Sequence, residues 1–187
     1  GGLSHKVLSF RDIPEKLIQK KFDSINASAC KKSLVMRFNK PVVATVARER
    51  FSEWHYDAVK HKNIRLVDKV GKITILEDRV MFDGKTAEFC FLIGADGAHS
   101  IVRKYLGMPT NRYLNAIHTH IPVRATKLEM IVMTKPLGYL WSFPHANTTS
   151  FGAGAMNSDV SMRKLKEILD SFLAQRKLIA TEYSAGI

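Results

Sequence analysis

Residues 136–144 read Pro-Leu-Gly-Tyr-Leu-Trp-Ser-Phe-Pro and form the most informative stretch of the chain. Alternate residues of a β-strand share one face, so Tyr139, Trp141 and Phe143 are predicted to form a row of three aromatic side chains. Such a row either lines a cavity for an apolar ligand or packs as core between a sheet and a helix. The glycine before Tyr139 and the proline after Phe143 interrupt a regular packed strand, which favours the cavity.

A glycine-rich stretch follows, with the sequence Gly152-Ala153-Gly154-Ala155-Met156-Asn157. It lies between a predicted strand and a predicted helix, where a dinucleotide-binding turn is found, but Asn157 takes the place of the third glycine. Gly152 and Gly154 are better explained by a close approach of the backbone beside the aromatic strand.

Hydrophobic periodicity places both stretches among antiparallel strands. Alternation with a period of two predicts strands at residues 113–122, 127–133, 138–144 and 149–155. An apolar stripe at helical spacing then predicts a closing helix at residues 161–175.

The first half of the chain is predicted to mix strands with helices. A short helix is expected from Ile13, with Pro14 in its first turn. Strands at residues 24–30, 34–38 and 42–46 are predicted to form an antiparallel meander. An amphipathic helix is predicted at residues 48–61. Further strands are predicted at residues 64–67, 72–76, 79–82 and 86–93, with a hairpin turn at Asp83-Gly84.

A second candidate site follows the continuous apolar run Phe89–Ile93, which suits a strand covered on both faces. The sequence Gly94-Ala95-Asp96-Gly97 ends this strand, and a short helix is predicted at residues 100–106. Glycines allow a ligand close to the backbone, an aspartate accepts hydrogen bonds from a sugar, and a helix start binds phosphate. The same residue types also make an ordinary strand-to-helix turn in which the aspartate caps the helix.

Together these two motifs resemble a known family. Ala95-Asp96-Gly97, followed by Ser100, Val102 and Arg103, resembles the DG motif of flavin-dependent monooxygenases and their relatives. The pattern PxxYxWxFP at residues 136–144, with the glycines after it, resembles the signature of the geranylgeranyl reductase family of FAD-dependent oxidoreductases, including its digeranylgeranylglycerophospholipid reductase-like members. Arg48-Glu49-Arg50-Phe51 looks like the family's Arg-x-x-Phe, although Ser52 replaces the aspartate that follows.

The resemblance implies an α+β fold like that of p-hydroxybenzoate hydroxylase. Residues 1–21 and 48–107 would form part of an FAD-binding α/β layer, and residues 22–47 and 108–187 a substrate domain with an antiparallel sheet and a closing helix. The implied activity is FAD-dependent reduction of isoprenoid C=C bonds, in geranylgeranyl chains of membrane lipids or related prenyl substrates, with an external electron donor.

The resemblance also implies roles for single residues. Arg48, Asp96 and Gly97 would bind FAD, whereas Tyr139, Trp141 and Phe143 would contact the substrate. The family's opening GxGxxG turn and closing Gly-Asp motif do not occur in these 187 residues. We therefore expect the chain to be the central part of a longer enzyme, inactive alone and unable to retain FAD.

Composition sets the remaining expectations. Lys and Arg number 29 against 17 Asp and Glu, a formal charge of +12 spread along the chain. A basic surface attracts an anionic membrane or nucleic acid, or simply keeps a protein soluble. With the resemblance, the charge favours a cytoplasmic protein at a membrane surface and no nucleic acid.

The cysteines and histidines suggest no second site. Cys30 and Cys90 lack metal-binding spacing and are expected to be reduced core thiols. His118 and His120 share a strand face without a nearby carboxylate or thiol, so no metal site is predicted. A flavin-dependent aromatic monooxygenase remains the alternative function, and a non-catalytic basic module is the alternative from another class.

Overall fold

The computed structural model describes residues 1–10, 12–60, 63–108 and 112–186. Contacts between Cα atoms divide them into two compact units, one drawn from residues 1–58 and 112–187 and the other from residues 59–111. The division into an FAD-binding layer and a substrate domain stays a prediction. In the structure, residues 1–21 and 48–58 belong to the same unit as the large sheet.

The described elements run in chain order as β1 (Gly2–Ser4), α1 (His5–Phe10), a 3-10 turn (Glu15–Leu17), β2 (Ile18–Phe22), β3 (Ser24–Ala29), β4 (Lys32–Arg37), β5 (Val43–Val46), α2 (Arg48–Val59), β6 (Ile73–Ile75), β7 (Arg79–Phe82), β8 (Lys85–Glu88), α3 (Ile101–Tyr105), β9 (Leu114–Ile121), β10 (Glu129–Thr134), β11 (Leu137–Pro144), β12 (Thr149–Met156), α4 (Met162–Ala174) and β13 (Ser184–Gly186). The described helices include none that is both long and apolar enough to cross a membrane.

The first unit is built on a seven-stranded sheet with the order β13-β9-β12-β11-β10-β3-β4. The predicted strands β9 to β12 are confirmed, and strands that are adjacent within this run are antiparallel. Among the described strands, the one parallel pair is β10 with β3, which joins the β3–β4 hairpin to the run.

The predicted closing helix is confirmed as α4. Ser161 caps its first turn, since its hydroxyl accepts a hydrogen bond at 3.3 Å from the backbone N–H of Lys164. Leu165, Leu169 and Phe172 of the apolar stripe are buried against the sheet. Each such side chain contributes about 1.5 to 3 kcal/mol when removed from water, so α4 supplies much of the core.

Alternation gives the sheet two different faces. Leu140 of β11 and Phe151 of β12 pack in one core cluster with the stripe of α4, and we call their side the helix face. Tyr139, Trp141 and Phe143 lie on the opposite side, which we call the cavity face. The aromatic row is therefore outside the α4 core.

A second, three-stranded sheet in this unit has the order β1-β5-β2 and corrects two predictions. The helix expected from Ile13 is a single 3-10 turn followed by strand β2, because Ile18–Phe22 pairs with β5 along its length. The three-stranded meander is also wrong. Only β3 and β4 pair, whereas β5 lies between β1 and β2.

The second unit contains the antiparallel sheet β6-β7-β8 and α3. Asp83 and Gly84 form the predicted hairpin turn with positive φ angles of 48° and 73°. Residues 64–67 form no strand, and the strand predicted at 86–93 ends at Glu88. The expectation that Phe89–Ile93 is covered on both faces is wrong, since no described strand pairs with these residues.

Side-chain exposure corrects two further expectations. Phe91 and Ile93 are 90% and 85% exposed, so the apolar run is not core in this unit. Cys30 and Cys90 are exposed rather than buried. Cys30 occupies the turn of the β3–β4 hairpin with a φ of 48°, a position that places its side chain outside the sheet core.

Candidate functional site

A cavity of about 930 Å³ opens on the cavity face of the seven-stranded sheet. Its floor is formed by β9, β11 and β12, and residues of β5 and the start of α2 complete its wall. Its volume falls within the range of about 300 to 1,000 Å³ typical of small-molecule sites. All of its lining residues belong to the first unit.

The aromatic row lines this cavity. The ring centroids of Tyr139 and Trp141 are 5.5 Å apart, and those of Trp141 and Phe143 are 6.3 Å apart. The three rings form one continuous apolar wall, half-buried rather than closed in the core. Their contact with substrate remains a prediction, but their position is the one that such a contact requires.

Two glycines of β12 make room for these rings. A Cβ atom on Gly152 would lie 2.0 Å from Cζ2 of Trp141, so no other residue fits beneath the indole. A Cβ atom on Gly154 would lie 3.5 Å from Cε1 of Tyr139, an ordinary contact. The predicted close approach is confirmed at Gly152. The dinucleotide-turn alternative is wrong, because both glycines lie inside a strand.

Three histidines line the same cavity. Their ring centroids are 5.6 Å apart between His118 and His120 and 5.3 Å apart between His120 and His145. Desolvation lowers the pKa of each of the three below its ordinary value, so the rings are uncharged at neutral pH. The described residues contain no cluster of histidines, cysteines and carboxylates suited to holding a metal ion.

His145 is the functional candidate that the sequence analysis missed. It is 6% exposed, and its Nδ1 is hydrogen bonded to Oε1 of Gln19. Its Nε2 finds no hydrogen-bond partner among the residues that the structure describes. Burial lowers its pKa to about 4. The signal was present in the sequence, because His145 continues the period of two that begins at Tyr139.

Arg48 is the first residue of α2 and lines the cavity. Its guanidinium lies beside the backbone at Gly1, where an added Cβ would be 2.9 Å from Nη2. Within the described residues it makes no hydrogen bond or ion pair. A free guanidinium at a cavity wall fits the phosphate or ring oxygens of a flavin nucleotide.

Asp96 lies in the second unit and caps α3. Its carboxylate accepts hydrogen bonds at 2.6 Å from Oγ of Ser100 and at 2.6 Å from the backbone N–H of Ile101. The hydrogen bond from Ser100 is the main cause of its lowered pKa. Gly97 has a φ of +80° and open space where a Cβ would be. The turn is thus a helix cap with an open backbone, and FAD contact by either residue remains a prediction.

No protein-family model matches the chain. A sequence relative is the geranylgeranyl diphosphate reductase of Rhodobacter capsulatus, which is 26% identical over 90% of this chain and 48% of its own length. A crystal structure of a geranylgeranyl bacteriochlorophyll reductase-like protein from Thermoplasma acidophilum superposes with a TM-score of 0.83 over 99% of this chain, at 18% identity. The chain is similar in sequence to the first of these proteins and in fold to the second. The predicted α+β fold of the p-hydroxybenzoate hydroxylase type is confirmed.

The same fold extends to flavin monooxygenases. A probable FAD-dependent monooxygenase from Pseudomonas aeruginosa superposes with a TM-score of 0.63 over 92% of this chain and 57% of its own, at 11% identity. The chain spans 48% of the Rhodobacter relative and 54% of the Thermoplasma structure, or about half of each.

Proposed function

We propose that this chain supplies the substrate-binding part of an FAD-dependent reductase of isoprenoid C=C bonds. The substrates are geranylgeranyl chains of membrane lipids or related prenyl compounds. The observation that carries the proposal is the position of Tyr139, Trp141 and Phe143, which line a cavity of about 930 Å³ on the side of the sheet away from α4. Apolar ligands are held by such aromatic walls with few polar anchors.

The chemistry of the cavity supports an apolar substrate. His118, His120 and His145 are uncharged at neutral pH because desolvation lowers the pKa of each. A hydrocarbon chain packed against these three uncharged rings leaves no histidine charge buried and unpaired. The sequence similarity to a geranylgeranyl diphosphate reductase supports the same substrate class.

When bound, reduced FAD supplies the hydride for such a reduction. Arg48 is proposed to contact the cofactor from the cavity wall, since its guanidinium has no acceptor within the described residues. Asp96 and Gly97 are proposed to bind FAD through the open backbone of their own turn. The aromatic row orients the alkene and excludes water from it.

The alternative is a flavin-dependent aromatic monooxygenase, which the similarity in fold to the Pseudomonas protein favours. Both enzymes place an apolar substrate against a flavin, but their ligands differ in shape. An aromatic acid is short and planar, whereas an isoprenoid is a long flexible chain.

Ligand binding to the 187-residue chain distinguishes the two functions. In a Trp54→Phe background the only indole is Trp141, so its fluorescence reports the cavity. We expect geranylgeraniol to change this fluorescence with saturation, and 4-hydroxybenzoate neither to change it nor to compete. Saturable binding of the aromatic acid alone would contradict the reductase proposal and support the monooxygenase alternative. A response to neither ligand would remove the substrate assignment.

A further inference from the structure

The cavity face continues past the aromatic row toward the edge of the sheet. Trp141 lies opposite Met130 on β10, Met130 lies beside Ala27 on β3, and Ala27 lies opposite Leu34 on β4. Residues at directly paired positions point to the same side of a sheet. One row of side chains therefore runs from Trp141 to the edge strand.

A second row runs parallel to the first. Tyr139 lies opposite Val132, which lies beside Ala29, and Ala29 lies opposite Lys32 on β4. Between the aromatic rings and the edge strand, both rows contain only apolar residues. We call these side chains the apolar strip: Met130, Val132, Ala27, Ala29 and Leu34.

Nothing in the described part of the chain fully covers this strip. Leu34 is 62% exposed and Val132 is 46% exposed. The alanines of β3 are small, so the strip dips between the larger side chains on β10 and Leu34 on β4. Three strand spacings separate β11 from β4, which makes the strip about 14 Å long.

We propose that the apolar strip binds the part of an isoprenoid chain that extends beyond the cavity. This inference rests on the proposed function and adds where the rest of a long substrate lies. The strip is continuous with the cavity through Trp141 and Tyr139, and it is long and narrow, as a linear hydrocarbon is. A compact aromatic ligand that fills the cavity does not reach it.

The edge of the sheet suits the same occupant. Lys31 and Lys32 stand at the outer end of the second row, and both are exposed. Basic side chains beside the apolar strip are complementary to an anionic lipid surface that delivers a hydrocarbon chain. The outer end of the strip is accordingly the side on which a membrane-borne substrate approaches.

Chain-length dependence tests the proposal in the 187-residue chain. Titration of Trp141 fluorescence in the Trp54→Phe background with geraniol, farnesol and geranylgeraniol compares ligands of ten, fifteen and twenty carbons with the same hydroxyl group. Because further carbons are removed from water on the strip, we expect the affinity for geranylgeraniol to exceed that for geraniol by about 100-fold or more.

A matched pair of variants on β4 isolates the strip. Leu34→Glu places a charge on the cavity face, whereas Val35→Glu places it on the helix face of the same exposed strand, where Val35 is 46% exposed. We expect Leu34→Glu to lower the affinity for geranylgeraniol about tenfold and to leave the affinity for geraniol unchanged. Val35→Glu should change neither affinity. Val132→Thr, which keeps the side-chain shape, is the second variant. It should likewise lower the affinity for geranylgeraniol and leave that for geraniol unchanged.

The failures are distinguishable. If no isoprenol changes the fluorescence, the proposed function itself is wrong. If all three lengths bind equally, or if Leu34→Glu and Val35→Glu behave alike, the apolar strip is not a binding surface although the proposed function stands. If light scattering shows a wild-type dimer that Leu34→Glu dissociates, a second copy of the chain covers the strip and the proposal is overturned.

Discussion

The indole of Trp141 lies over the backbone of Gly152, on the neighbouring strand at a paired position of the sheet. A Cβ atom at position 152 would be 2.0 Å from Cζ2 of the ring, far inside van der Waals contact. The orientation of one cavity wall thus depends on the absence of a single methyl group.

Gly152→Ala is expected to displace the Trp141 ring. Because the indole must move or the strands must shift, we expect a loss of about 1 to 3 kcal/mol in the free energy of unfolding. The matched control is Gly154→Ala, whose Cβ would make an ordinary contact at 3.5 Å with Tyr139. Urea denaturation of both variants checks the prediction, and equal losses would contradict it.

Trp141→Ala is expected to reduce ligand binding more than stability. Trp141 is half-buried at a cavity, so its removal leaves no closed void, and we expect a loss below about 2 kcal/mol. Phe172→Ala on α4 serves as the core control, with an expected loss of about 3 to 5 kcal/mol. Thermal denaturation measures both. A collapse of the Trp141 variant comparable to that of the control would show that the row is core.

His145→Gln is expected to flatten the dependence of stability on pH. Burial lowers the pKa of His145 to about 4, whereas its ordinary value is 6.5. Between these values the unfolded chain binds a proton that the folded chain does not, so the free energy of unfolding falls as the pH falls from 6.5 to 4. His145 contributes up to about 3 kcal/mol to this decrease.

Urea denaturation at pH 8 and pH 5 measures the effect. The difference in unfolding free energy between the two pH values should be smaller in the variant than in the wild type. His118 and His120 act in the same direction, so some dependence remains in the variant. An unchanged difference would show that His145 does not stay neutral in the folded protein.

Asp96→Ala is expected to destabilise the second unit before any cofactor is added. Its carboxylate accepts hydrogen bonds from Ser100 and from the backbone of Ile101, so its loss weakens the first turn of α3, where the Ser100 hydroxyl remains as the cap. The lowered pKa of Asp96 means that this contribution is present above its ordinary pKa and is lost as the pH falls through the folded value. Amide hydrogen exchange of residues 101–105 without FAD measures it, and Asp78→Ala is the control. If hydrogen exchange at residues 101–105 were unchanged in Asp96→Ala, Asp96 would not stabilise α3, and FAD binding would be its one proposed role.

The net charge is expected to bring the protein to anionic membranes. Because the chain has 29 basic and 17 acidic residues, sedimentation with anionic liposomes should exceed sedimentation with neutral ones. The difference should shrink as salt is added, since charges are screened over about 10 Å at 0.1 M. Equal sedimentation with both liposomes would exclude this role for the charge, and tight binding to duplex DNA would favour a nucleic-acid partner.

The sequence predicted the part of the fold in which the periodic pattern of apolar residues runs without interruption. The strands β9 to β12 and helix α4 follow directly from periods of two and 3.6, because one side of the sheet is buried by the helix. The same alternation placed Tyr139, Trp141 and Phe143 together. It did not identify their environment, which depends on what lies above the sheet.

Predictions failed where pairing over long distance outweighed local pattern. Helical spacing relates Leu17, Ile18 and Phe22, yet β2 forms because β5, more than twenty residues later, pairs with it. Phe89–Ile93 has the composition of a buried strand but pairs with no described strand. The buried His145 was not singled out because the partner of its Nδ1, Gln19, is 126 positions away.

The two faces of the sheet also bear on how this protein can be redesigned. On β11 the odd positions face the cavity and the even positions face α4, and on β12 the order is reversed. Substitution libraries confined to odd positions of β11 would therefore sample ligand preference while the packing against the helix stays intact. Recombining even positions instead would test only whether the protein still folds.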